Sequence, residues 1–150
     1  MSQQNPYRIF VTHDWVEDED YLRVFEFLEG APNFYYQNVA NPTAPAQANA
    51  AEARELLRAQ IRQCEVVVAL ASQHATAASA LEFQLVFAQV CKKSIVLLRA
   101  FGSNQTLPKS LTQHAKEILD WDERGLVAAI KRLARGEGGP RWDTVEFTPD

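Results

Sequence analysis

Short β-rich apolar blocks alternate along this chain with longer blocks of helical period. Tyr7-Arg8-Ile9-Phe10-Val11 predicts a first strand, and the polar Thr12-His13-Asp14 ends it. Asp18-Glu19-Asp20 then precedes Tyr21, Leu22, Val24, Phe25, Phe27 and Leu28. Acidic residues ahead of an apolar-periodic run suit a helix N-terminus, and Gly30 and Pro32 stop that helix. Residues 34–39 predict a second strand, and Asn41-Pro42-Thr43-Ala44-Pro45 forces a loop. Residues 46–63 are rich in good helix formers, with Leu56, Leu57, Gln60 and Ile61 as a partial stripe.

The run 65–70 contains Val66-Val67-Val68-Ala69-Leu70 and is almost purely apolar. Strands buried on both faces read this way, and they belong to parallel sheets covered by helices. A small polar loop is expected over 71–76 and a helix over 79–90, ended by Lys92-Lys93. Ser94-Ile95-Val96-Leu97-Leu98 predicts a fourth strand, and Gly102 to Pro108 a loop. A short helix over 111–115, an extended piece over 118–121 and an amphipathic helix over 124–135 complete the pattern. Gly136-Glu137-Gly138-Gly139-Pro140 ends it, leaving a tail over 136–150 that is expected to dock loosely through Trp142 and Phe147.

Strands alternating with helices mean right-handed crossovers and one open parallel sheet. The fold expectation is therefore α/β: a flavodoxin-like, doubly wound, five-stranded parallel sheet in a single domain over residues 1–135. In such sheets ligands bind outside the carboxyl ends of the strands, where the strand order reverses. That directs attention to three loops, at Thr12 to Trp15, Asn38 to Pro45, and Ser72 to His74. Thr12, His13, Asp14, Trp15, Asn38, Ser72 and His74 are the candidate ligand residues, because hydroxyls, amides and imidazoles suit a polar ligand such as a ribose. Four of them have a plainer role open to them: turn cap for His13, N-cap or turn residue for Asp14, solvent exposure for His74, cover of the sheet edge for Trp15. Trp15, Tyr35 and Tyr36 offer rings for base stacking or for the core.

The chain has 150 residues, with 15 Lys+Arg against 19 Asp+Glu. That balance argues against nucleic acid as a partner, since phosphate affinity comes from clustered basic residues. The one basic stretch, Lys131, Arg132 and Arg135, reads as the solvated face of a helix. No apolar run reaches the roughly 18 residues of a membrane helix, and the first residues lack a signal peptide's charge and apolar core. A cytoplasmic protein with no membrane partner is the expectation. Cys64 and Cys91 stand outside any C-x-x-C and at no metal-ligand spacing from a His, so two reduced thiols and no metal are expected. Cys91 precedes Lys92 and Lys93, but a buried, inert thiol is the better reading. The dinucleotide, P-loop and serine-hydrolase signatures are absent, and Ser72 stands where a response regulator would carry its phosphoacceptor Asp.

The order of motifs resembles the TIR-like domains of the Thoeris type of bacterial antiphage defence. Ile9-Phe10-Val11-Thr12-His13-Asp14-Trp15 is similar to that family's strand and "S-H-x-W" opening. Phe34-Tyr35-Tyr36-Gln37-Asn38 is similar to its "F-x-x-x-N" second strand. Gln60-Ile61-Arg62-Gln63-Cys64-Glu65-Val66 resembles its approach to the third strand, and Ile118-Leu119-Asp120-Trp121-Asp122 its closing motif. The resemblance covers about residues 7 to 135. It implies the flavodoxin-like fold and a part in NAD+-dependent immune signalling, with NAD+ or a related nucleotide as substrate or ligand and no other cofactor. It also implies homo-oligomer or TIR–TIR assembly and a downstream effector protein as partners.

Active members of that family place a glutamate on the helix after the third strand, where a carboxylate stabilises an oxocarbenium-like charge and holds the ribose hydroxyls. Here Gln84 occupies that position in the ungapped alignment. Glutamine keeps the shape and loses the charge. Glu82 lies two residues away, about 200° around a helix, and substitutes only if the register shifts. Gln84 and Glu82 are therefore the candidate catalytic residues. Three readings stay open: NAD+ cleavage through a shifted Glu82, an inactive TIR-like module for nucleotide binding or assembly, and a glutamine introduced to trap an inactive state. An unrelated nucleoside deoxyribosyltransferase-like enzyme is a further alternative; its nucleophilic carboxylate would be Asp14 or Glu82.

Overall fold

The computed structural model describes residues 5–43, 49–103 and 105–136. Five strands form one parallel sheet: β1 (Tyr7–Val11), β2 (Tyr36–Asn38), β3 (Val66–Leu70), β4 (Ser94–Leu98) and β5 (Glu117–Leu119). Their order is β2-β1-β3-β4-β5. Among the described residues five helices connect and cover them: α1 (Glu19–Glu29), α2 (Ala50–Gln63), α3 (His74–Val90), α4 (Lys109–Thr112) and α5 (Glu123–Arg135). The flavodoxin-like expectation holds. The chain steps outward from β1 to β2 and then back across β1 to β3, so the order reverses between β1 and β3.

Burial follows the apolar runs. All five residues of β3 are buried, as are Ile9, Phe10 and Val11 of β1 and Ile95 to Leu98 of β4. On one face α1 and α5 supply Tyr21, Val24, Leu28, Leu126, Ala129 and Ile130; α2 and α3 supply Leu57, Ile61, Leu81, Leu85 and Ala88 to the other. At roughly 1.5–3 kcal/mol per fully buried large side chain, this double layer dominates the stability of the fold. At the amino edge of the sheet, Arg135 donates to both oxygens of Glu65, at 2.6 and 2.8 Å, and its guanidinium lies 4.2 Å from the Tyr7 ring centroid. That pair ties the end of α5 to the start of β3, and the Arg135 guanidinium holds the Glu65 carboxyl down to about 2.

Several element boundaries differ from the sequence reading. The second strand keeps three residues rather than six; Phe34 stacks on Tyr7 at 5.5 Å instead of extending the ladder. The second helix starts at Ala50, where Asn49 and Glu52 form a capping box, and the expected helical residues 46–48 lie outside the described part. The expected loop over 71–76 is a 3-10 turn over Ala71–Gln73 that runs into α3 at His74. A break at Ala77 (φ −151°, ψ 52°) then re-aims the helix. The last strand and helix begin one residue early, and Trp121 is not in the strand; its indole donates to Arg99 O at 2.8 Å. Trp142, Phe147 and residues 137–150 lie outside the described part.

Candidate functional site

The β1–α1 loop, Thr12 to Asp18, leaves the sheet where the strand order reverses. A loop at a sheet end exposes main-chain N–H and C=O groups that need partners. Glutamine side chains supply them from two elements, and a third glutamine does the same for the loop after β2.

Gln73, in the 3-10 turn after β3, accepts from Thr12 Oγ1 at 2.7 Å and donates to Thr12 O at 2.7 Å. It also donates to Asp18 Oδ2 at 3.1 Å. Thr12 Oγ1 in turn accepts from Leu70 N at 3.0 Å. Gln84, on α3, is 1% exposed. Its Oε1 accepts from His13 N at 3.1 Å, and its Nε2 donates to His13 O at 2.8 Å and to Ala80 O at 3.0 Å. Gln60, on α2, accepts from Asn41 N at 3.0 Å, donates to Asn41 O at 3.1 Å and meets His13 Nε2 at 3.0 Å. Amide side chains suit this task because each carries both donor and acceptor and can pair with a peptide unit as another peptide would.

His13 reads as neutral with its proton on Nε2, because Nδ1 accepts the Trp15 main-chain N–H at 3.1 Å. Burial holds its pKa below 6.5, against the raising effects of Gln60, Asp14 and Asp18. Trp15 has φ 62°, a left-handed conformation costly for a bulky residue. The bond to His13 helps hold it there, and its ring meets the His13 ring edge-on at 4.9 Å between centroids.

Two clefts flank this loop. One, of about 450 Å³, lies between the loop, α2 and α3 and is lined by Asp14, Trp15, Arg54, Arg58, Ser79 and Phe83 over a floor that includes Leu57 and Ala80. The other, of about 370 Å³, is lined by Asp18, Asp20, Arg23, Ser72, Thr76 and Phe101. In that second cleft Asp20 pairs with Arg23, whose guanidinium sits 3.9 Å from the Phe101 ring centroid.

The expected site residues therefore separate into three groups. Asp14 and Trp15 line the larger cleft, and Ser72 lines the smaller one. Thr12, His13 and Asn38 are bonded within the protein and hold loops in place. Asn38 donates to Tyr21 Oη at 3.0 Å and accepts from Ala40 N at 2.9 Å. Their side-chain polar atoms already have protein partners. His74 is half-buried and lines neither cleft.

Gln84, expected to face a ribose, instead faces main chain, with both amide hydrogens donated to carbonyls. Glu82 lines neither of these clefts. Of the three rings considered for stacking, Trp15 borders the larger cleft, whereas Tyr36 donates to Glu29 and packs between Phe25 and Phe34. The sequence reading missed Gln60, Gln73, Arg54, Arg58 and Phe83. Gln84 did carry a signal, a polar residue on the helical face set by Leu81, Leu85 and Ala88, as did the one-turn spacing of Arg54 and Arg58.

Among the described residues no group of three or more His, Cys, Asp or Glu could hold a metal ion. No helix of the described residues is long and apolar enough to cross a membrane.

No family model matches the chain, and no curated protein matches it. Solved structures do. A CMP N-glycosidase from Clostridium botulinum is 16% identical with a TM-score of 0.51, and the match covers 83% of this chain and 98% of that one. A 3-dehydroquinate dehydratase-like protein from Bifidobacterium longum is 13% identical with a TM-score of 0.45, over 86% of this chain and 94% of that one. The likeness to the glycosidase is one of fold.

Proposed function

We propose that this chain is a TIR-like module of bacterial antiphage immunity that binds NAD+ or a related nucleotide without cleaving it. The binding site would be the cleft between the β1–α1 loop, α2 and α3, and a downstream effector or a second copy would read the bound state. One observation carries the non-catalytic part of this reading: Gln84 spends its amide on the main chain of His13 and Ala80. A carboxylate there could not donate to those carbonyls, so the local structure is built around an amide. Glu82 offers no replacement at this cleft. The resemblance of the motifs supports the immune setting. The cleft itself supports a nucleotide, because it joins two aromatic rings, two guanidiniums, a hydroxyl and a carboxylate at the sheet edge where such folds bind ligands.

Asp14 favours a second reading. It is an exposed carboxylate on the cleft wall, and glycosidic cleavage in a deoxyribosyltransferase-like or N-glycosidase-like enzyme would use such a group as nucleophile.

The test is calorimetric titration with NAD+ and nucleoside monophosphates, alongside chromatography for released nicotinamide or free base. Binding without release, by the wild type and by Asp14→Asn, is expected. Nicotinamide release that disappears in Glu82→Ala would overturn the non-catalytic reading. Base release that disappears in Asp14→Asn would install the second one.

A further inference from the structure

Arg54, Arg58 and Phe83 line one wall of the larger cleft and belong to a stack of arginines on phenylalanines that runs beyond it. Phe83 and Phe87 of α3 lie one turn apart with near-parallel rings, 6.5 Å between centroids and 9° between planes. Arg54, Arg58 and Arg62 of α2 follow the same one-turn spacing. Arg54 Cζ is 6.0 Å and Arg58 Cζ 5.2 Å from the Phe83 centroid, and Arg62 Cζ is 5.2 Å from that of Phe87. A guanidinium held against a ring keeps its N–H edge available for an oxygen ligand.

The arginines differ in what already occupies that edge. Arg58 donates to Glu55 at 2.6 Å, and Arg62 does not line the cleft. Arg54 lines the cleft, is exposed, and pairs with no carboxylate among the described residues. Across the cleft stand Trp15, a flat apolar surface, and Asp14, which can accept from hydroxyls but repels an anion. The site is therefore polarised, with a cation at the α2 wall and a ring and an acceptor at the loop wall.

We infer that Arg54, assisted by Arg58, reads the phosphate of the bound molecule, so that this cleft takes nucleoside phosphates and discriminates against nucleosides. The inference rests on the nucleotide-binding reading above and adds the ligand class and the residue that selects it. A guanidinium offers paired N–H donors to phosphate oxygens, and such charge-assisted bonds are stronger than neutral ones. Trp15 would take the base and Asp14 the sugar hydroxyls, which sets the phosphate toward α2 and away from the carboxylate.

The experiment titrates adenosine, AMP, cytidine, CMP and NAD+ into wild type, Arg54→Ala and Arg54→Lys by calorimetry. At least one monophosphate should bind about tenfold or more tightly than its nucleoside. In Arg54→Ala that preference should fall below about threefold while nucleoside affinity stays unchanged, and Arg54→Lys should retain part of it. Equal affinity for nucleoside and monophosphate in the wild type overturns the assignment and leaves the binding reading standing. So does a preference that survives in Arg54→Ala. Binding of none of the five ligands by the folded wild type overturns the nucleotide reading and this inference with it.

Discussion

Replacing Gln84 by glutamate changes one amide nitrogen to oxygen and tests the logic of the site. Gln84 donates to His13 O at 2.8 Å and to Ala80 O at 3.0 Å in a setting where the residue is 1% exposed. An ionised glutamate would keep only the bond it accepts from His13 N and would face the two carbonyls with negative charge. Leaving a buried polar group without its partner costs about 1–3 kcal/mol, and an uncompensated buried charge costs more. A loss of about 3 kcal/mol at neutral pH is a conservative estimate. At this chain length that lowers Tm by roughly 6–12 °C.

The loss should depend on pH. Burial beside two carbonyls raises the folded-state pKa of the new carboxyl above its unfolded value of about 4.3. The protonated acid can donate to one of the carbonyls, so its contribution is fully present below the unfolded pKa and is lost as pH rises through the folded one. Urea denaturation of wild type and Gln84→Glu from pH 4.5 to 8 is the assay. The gap in midpoint should widen with pH. A variant as stable as wild type at pH 7.5, or a gap that does not change with pH, would refute the claim that the amide is required.

His13, held neutral by burial, has a pKa below 6.5, so the folded protein binds fewer protons there than the unfolded chain. Its contribution to stability is present above pH 6.5 and is lost as pH falls from 6.5 toward the folded value. Relative to His13→Gln, the wild type should lose stability over that window, and parallel stability curves would count against it. At the other edge of the sheet, the Glu65 carboxyl at about 2 contributes stability above its ordinary 4.5, lost as pH falls through about 2. In Arg135→Met, carboxyl NMR should find Glu65 titrating well above 2, and an unmoved titration would deny Arg135 its role. Burial pushes the Cys64 thiol up to about 12, whereas Cys91 is half-buried. A thiol reagent at pH 8 should modify Cys91 in the folded protein and Cys64 only after denaturant is added; equal rates would contradict the packing of the α2–β3 junction.

The fold was legible because its signals are local. Val66 to Leu70 and Ile95 to Leu98 are apolar without alternation, and that pattern implies burial on both faces under helices. Acidic first turns, Gly30 and Gly136 marked helix ends for reasons confined to a few neighbouring residues. Where boundaries slipped, the cause was tertiary. Phe34 left the strand to stack on Tyr7, and residues 71–76 became turn and helix because Gln73 is pulled inward to Thr12.

The site was legible only as an address. Alternating strands and helices are enough to say that it lies at the carboxyl edge near Thr12 to Trp15, since handed crossovers place those loops together. Which side chains face outward was decided by pairings across 47 to 71 residues, among them Gln60 with His13 and Gln84 with the His13 main chain. A glutamine carries no mark in the sequence that tells a ligand contact from a backbone clamp, because the same donor and acceptor serve both. Only the three-dimensional arrangement shows that the three glutamines are spent on the loops, leaving Asp14, Trp15, Arg54, Arg58 and Phe83 around the larger cleft.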